Sequence, residues 1–190
     1  MWSYEKRLQY PIKISTPNAK LASYIISQYG GPDGELSASM RYLSQRFSAA
    51  NPRVAGLLTD IGTEELAHLE MIGAIVRQLT RGLSAKELEA AGFAPYYIDH
   101  TAAVWPQAAG GVPFNACEFQ CSGDAIADLV EDMAAEQKAR KTYDNILRVV
   151  ADPEVADPIR FLREREIVHF QRFGEALRLV QEELDSKNFY

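Results

Sequence analysis

Glu35, Tyr42 and the pair Glu65/His68 recur 101 residues later as Glu136, Tyr143 and Glu166/His169. The turn between them recurs as well, as Asn51-Pro52 and Asp152-Pro153, without a gap in register. A chain that carries this pattern twice is constrained to two alike halves. In each, the first Glu lies sixteen residues before the Asn or Asp of the turn, and the second fourteen after it. At about 1.5 Å per helical residue these distances are roughly 24 and 21 Å. Two antiparallel helices joined at the turn therefore hold both carboxylates at nearly one height. Packing the two hairpins together brings four Glu and two His to one level of a core.

Helical pattern covers most of the chain. Residues 18–29 and 33–50 read as one first helix, about 18–50, interrupted at Gly30-Gly31-Pro32 because glycine and proline are poor in helix interiors. Asn51 suits a cap and Pro52 the first position of a second helix, about 52–80. Residues 81–121 form a long connection. In it Ser84 caps a short helix ending at Gly92, and Pro95, Pro106, Gly110, Gly111 and Pro113 make the remainder irregular. A third helix is expected over about 122–150 and a fourth over about 155–184.

The second helix carries an apolar stripe in steps of three and four, from Val54 and Leu58 to Ile75 and Leu79, interrupted only by Glu65 and His68. Such a stripe is the seam of a bundle. The fourth helix repeats it from Ile159 to Val180, interrupted by Glu166 and His169. Glu64 falls off the seam and its counterpart is Arg165. The retained spacing is thus Glu-x-x-His, and Glu64 is expected to be dispensable. Four buried carboxylates without compensation are prohibitively costly, whereas two divalent cations balance four negative charges. This ligand set belongs to ferritin-like dimetal carboxylate proteins. The predicted fold is therefore all-α: a ferritin-like four-helix bundle with a long crossover between the second and third helices, one domain over residues 1–190. Tyr42 and Tyr143, two turns past Glu35 and Glu136, are either hydroxyls that fix the carboxylates or plain core tyrosines. Arg46 and Arg140 read as surface arginines, and His100 as structural. The Gly-Gly-Pro break is a chain bend or a path to Glu35.

Net charge is −6, which speaks against nucleic acid held by bulk electrostatics. No apolar run approaches the roughly 18 residues that read as a membrane span. The N-terminus lacks the apolar region of a secretory signal, so the chain is expected not to be secreted. Cys117 and Cys121 have too few neighbouring ligands for zinc. They read as small apolar residues of a packed loop in a reducing compartment.

The stretches GGPDGELSASMRYLSQ, IGTEELAHLEMI, SGDAIADLVEDMAAEQKARKTYDNIL and FLREREIVHFQRF resemble, in order and spacing, the non-haem manganese catalase family. The short length and the start MWSYEKRLQYPIKI are most similar to its spore-coat branch. The resemblance covers essentially the whole chain. It implies a dimanganese enzyme disproportionating hydrogen peroxide, in a ferritin-like bundle assembled into hexamers. It implies that Glu65 bridges the metals, that Glu35 and His68 complete one, and that Glu136 and His169 complete the other. Glu166 would be a further ligand or a base, and Tyr42 matches the family's tyrosine beside the ligands. Larger members place a basic residue near the Glu136 position; here the neighbours are Ala135 and Tyr143, which favours direct coordination by Glu166. The chain stops at Tyr190, short of the long tail of those members, so subunit contacts are expected from 81–121. Iron remains the alternative to manganese, because nitrogen and oxygen donors do not separate the two. A di-iron oxidase, peroxidase or ferroxidase, and a structural coat protein with a vestigial site, are the other readings. The expected location is cytoplasmic or within the spore coat, with other coat proteins as partners.

Overall fold

The computed structural model describes residues 7–93, 100 and 103–187. Seven α-helices account for most of them: α1 (Ala19–Ile25), α2 (Ser27–Gly30), α3 (Glu35–Gln45), α4 (Pro52–Leu79), α5 (Ala85–Ala90), α6 (Ala125–Leu147) and α7 (Pro153–Lys187). Among the described residues there is no β-strand, only an isolated bridge between Gln107 and Pro113. None of their helices is long and apolar enough to cross a membrane.

The four long elements are α3, α4, α6 and α7, and their ends follow local chemistry. Asn51 accepts a hydrogen bond from the Arg53 N–H at 2.8 Å and Pro52 opens α4, the pairing expected of a cap and a first-position proline. Asp124 accepts from the N–H groups of Ile126 and Ala127 at the start of α6. Asp128 gathers the Ser122 N–H, the Ser122 hydroxyl and the Gly123 N–H at 2.9, 2.6 and 3.0 Å. Asp152 accepts from the Glu154 N–H at 2.9 Å as α7 begins.

The first sequence-predicted helix is the one the structure corrects. It is three pieces, and the last ends at Gln45 rather than near Ala50. Phe47 and Ser48 donate to the carbonyls three residues back, at 3.3 and 3.0 Å, the tightening that commonly closes a helix. The break at Gly30–Gly34 has a packing cause. A Cβ on Gly30 would sit 2.3 Å from the Gln107 nitrogen and 2.5 Å from the Pro106 carbonyl carbon. The crossover chain thus lies directly on α2 and covers the break. Gly34, in extended conformation, then restarts the helix with Glu35 as its first residue, at the end where a helix dipole favours negative charge.

Hairpins α3–α4 and α6–α7 pack through α4 against α7 and α3 against α6. The apolar core falls into two clusters. One gathers Ile72, Ile75, Leu79, Tyr143, Ile159 and Leu162; the other gathers Tyr42, Leu58, Ile61, Leu129, Phe173 and Val180. The Glu and His interruptions of the seams lie between them in sequence.

Away from the core, Arg46 stacks on Phe47 at 4.8 Å, and Arg140 pairs with Asp144 at 2.7 Å. His100 stacks on Trp105 with ring centroids 4.3 Å apart. Cys117 and Cys121 are free and exposed. This corrects the packed-loop expectation: the irregular chain around the short 3-10 turn Ala116–Glu118 leaves its side chains outward.

Two glycine substitutions test this packing in opposite directions. Gly30→Ala should lower unfolding free energy by about 1–3 kcal/mol through overpacking against the crossover. Gly56→Ala, exposed on α4 with nothing within 4 Å of an added Cβ, should raise it by up to about 1 kcal/mol. Denaturant titration of the two variants reads both.

Candidate metal centre

Glu35 on α3, Glu65 and His68 on α4, Glu136 on α6, and Glu166 and His169 on α7 are all buried. The bundle brings these six together. Ligand atoms of Glu35, Glu65, His68 and Glu166 lie within 4.8 Å of one another, and so do those of Glu65, Glu136, Glu166 and His169. The two groups share Glu65 and Glu166.

Glu65 is split between the histidines. Its Oε2 lies 2.8 Å from His68 Nδ1 and its Oε1 2.9 Å from His169 Nδ1. His68 Nδ1 is also 3.6 Å from Glu35 Oε2, and His169 Nδ1 is 3.7 Å from Glu136 Oε2. The rings face one another at 5.6 Å and 21°. The tyrosines cross between hairpins. Tyr42 donates to Glu136 Oε1 at 2.5 Å, and Tyr143 donates to Glu35 Oε1. Glu35 and Glu136 thus each face a histidine with one oxygen and are held on the other by a phenol from the opposite hairpin.

The donor set fits divalent cations, and its own atoms say so. Glu65 Oε1 and His169 Nδ1 are 2.9 Å apart yet not aligned to hydrogen-bond each other. Glu136 Oε2 and Glu166 Oε1 are likewise buried without a hydrogen-bond partner. Buried polar atoms are almost always satisfied. Carboxylate oxygens and imidazole nitrogens turned toward a shared space, unsatisfied by one another, suit a common ion.

Protonation shows the same frustration. Burial, then the Glu65 charge, pushes Glu35 up to about 8, with His68 opposing. Burial, then Glu136, Glu35 and Glu65, pushes Glu166 well above the usual carboxylate range. Burial also works against Glu65, but the His169 and His68 charges outweigh it and hold that carboxyl low. Burial disfavours charged His169, yet Glu65, Glu136 and Glu64 push it up to about 12. Protons stand where cations would otherwise balance the charge.

Glu64 stands in neither ligand group, as its place off the seam implies, yet it is not remote from the centre. Rather than pointing away, it lies 3.1 Å from His169 Nε2 and 3.6 Å from His68 Nε2. It also accepts two hydrogen bonds from Arg165, at 2.8 and 3.1 Å. The signal that could have found it was the acid and base at equivalent repeat positions, 64 and 165.

A family model described as manganese containing catalase matches residues 1–187. The protein is 53% identical over 190 residues to Protein CotJC of Bacillus subtilis strain 168, spanning all of both chains. The crystal structure of KatB, a manganese catalase from Anabaena PCC7120, superposes with a TM-score of 0.87 at 28% identity, over 95% of this chain and 81% of that one. A dodecameric thioferritin from Bacteroides fragilis aligns with a TM-score of 0.59 at 16% identity over 90% of each chain, a likeness of fold alone.

The displaced acidities set a pH dependence for chelator-treated protein. Glu35, raised, stabilises fully below 4.5, its ordinary value, and loses that contribution as pH climbs to about 8. His169, also raised, stabilises fully below 6.5 and loses its contribution as pH rises through about 12. Glu65, held low, stabilises above 4.5 and loses its contribution as pH falls below it. The melting temperature should therefore peak near pH 5 and fall toward pH 8–9. Manganese(II) should flatten that fall and release protons on binding. Thermal melts across the range, with and without metal, check both.

Proposed function

The chain belongs to the manganese-containing catalase family, and on that premise we propose that it is a dimanganese catalase, converting hydrogen peroxide to water and dioxygen. The observation that carries this reading is the doubled buried cluster with Glu65 and Glu166 common to both groups. Likeness to KatB, a manganese catalase from Anabaena, supports manganese over the iron that the same donors also accept.

In this reading Glu65 would be held in common by the two ions, with Glu35 and His68 holding one and Glu136 and His169 the other. When bound, two manganese ions would supply the paired one-electron changes that peroxide chemistry needs. The protein's residues manage geometry and protons. Tyr42 and Tyr143 fix the outer oxygens of Glu136 and Glu35, so these carboxylates keep one orientation. Glu166 adjoins both groups with Oε1 uncommitted. It is the residue placed to take a proton from one peroxide and return it to the next, as a general acid–base, or to bind directly. One peroxide loses two electrons and two protons to become dioxygen; the other gains them and becomes two waters. The two flanking apolar clusters leave this ligand layer buried.

The resemblance of the sequence to the spore-coat branch of the family supports placement in a spore coat, with further copies of the chain and other coat proteins as partners. A structural coat protein with a vestigial site shares that support, and activity separates the two.

Purified protein with its metals quantified, assayed for oxygen release from peroxide, tests the proposal. Two manganese ions per chain with oxygen release is the expected result. Turnover only with iron and a reductant favours the iron reading, and no turnover at full manganese loading overturns the catalase. Glu65→Ala and His68→Ala should each lower metal-dependent turnover by more than about 100-fold, beyond the loss typical of groups that merely support ligands.

A further inference from the structure

We propose that Glu64, locked by Arg165, is a positioning residue for both histidines of the centre: one carboxylate that accepts the outer N–H of His169, faces the outer nitrogen of His68, and keeps both Nδ1 atoms turned inward. The inference rests on the dimetal reading of the inner cluster and adds a role that the sequence pattern denied to Glu64.

Four distances carry it. Glu64 Oε2 lies 3.1 Å from His169 Nε2 and 3.1 Å from Arg165 Nη2. Glu64 Oε1 lies 3.6 Å from His68 Nε2 and 2.8 Å from Arg165 Nε. Each oxygen therefore faces one imidazole and one guanidinium nitrogen. His68 Nε2 is buried without a hydrogen-bond partner, and Glu64 is the acceptor it faces. Gln9 adds a donor to Oε1 at 3.3 Å. On the inner side, both Nδ1 atoms point at Glu65.

The chemistry follows from imidazole having one proton and two nitrogens when neutral. An acceptor at Nε2 holds the proton there and leaves Nδ1 as the donor to a cation. Outer acceptors of this kind commonly fix ring orientation and tautomer in metal sites. What is particular here is the sharing. Glu64 precedes His68 by four residues, and Arg165 precedes His169 by four. Two acids at these equivalent positions would repel one another, and two bases would leave both rings without an acceptor. One acid and one base give a single carboxylate that serves both rings, and the cation that orients it.

Full-length protein, stripped of metal and titrated with manganese(II), tests the idea through affinity rather than turnover. Glu64→Ala should weaken binding by about 10–100-fold, and Arg165→Ala should weaken it less. Glu64→Gln, which keeps one acceptor in nearly the same shape, should fall between wild type and Glu64→Ala. The exchange Glu64→Arg with Arg165→Glu should recover affinity, because position 165 stands in the equivalent place beside His169. Glu164→Ala, at an exposed residue paired with Arg163, should change nothing. Melting temperatures of the metal-free variants are read in parallel. A merely structural salt bridge would lower those temperatures and leave affinity unchanged, and that result overturns the proposal, as does an unchanged Glu64→Gln should Glu64→Ala fail to fold. Wild-type protein that binds no manganese overturns instead the functional reading beneath it.

Discussion

Four carboxylates and two imidazoles share one buried layer of the bundle, and their mutual electrostatics set the terms the rest of the fold has to meet. No one of the acids is stable there as an isolated anion. The layer divides the problem unevenly. Glu65 stays charged because two imidazoles flank it, while Glu35 and Glu166 are driven toward the neutral form. Such a layer persists only if neighbours that cannot relax hold its members in place. The apolar clusters provide that support, one contributing Tyr143 and the other Tyr42. Each tyrosine packs its ring in one cluster and spends its hydroxyl on a carboxylate of the opposite hairpin. Core packing and polar geometry are thereby fixed by the same side chains.

The two halves are alike where they bind and unlike where they are reached. Tyr42 to Glu136 and Tyr143 to Glu35 are equivalent contacts around an approximate two-fold. Glu35 opens α3 after a glycine break, whereas Glu136 sits inside an unbroken α6. The break lets the crossover lie on α2 at Gly30. Glu64 and Arg165 are the sharpest departure from the two-fold, an acid and a base at equivalent sites.

Helices α4, α6 and α7 were legible because long seams in steps of three and four admit only one face, and because Asn51 announces the start of α4; the starts of α6 and α7, set by Asp124 and Asp152, were read two or three residues off. Glu65, His68, Glu166 and His169 were legible for a related reason: polar residues interrupting an apolar seam have to be compensated inside. The pieces α1, α2 and α3 read as one helix because the glycines mark a break without stating what packs on it. The crosswise reach of the tyrosines was hidden by helix geometry. Seven residues on one helix span about 10.5 Å, too far for a phenol to serve its own helix's Glu, yet the opposite hairpin brings an equivalent Glu close. The approach of Glu64 to both histidines was not legible, because a seam argument says which residues face the core and nothing of what the flanking ones touch. Only the approach of positions 64 and 165 across the two-fold reveals that a flank can be an inner wall.

The same asymmetry separates Glu65 from Glu166, the two carboxylates common to both ligand groups. Glu65 has an imidazole on each oxygen. The strongest electrostatic neighbours of Glu166 are Glu136, Glu35 and Glu65, all acids, and the adjacent arginine in sequence, Arg165, is turned to Glu64 instead. The repeat would allow Glu166 a bridging place equal to that of Glu65. Diverting Arg165 to the outer side of the histidines removes the cation that could have held Glu166 back. Glu166 is left with an uncommitted oxygen in the layer, so its charge depends on what binds there. A carboxylate pinned between two imidazoles on one side and an adaptable one on the other is the arrangement the proposed dimetal centre would need to keep its metals while moving protons.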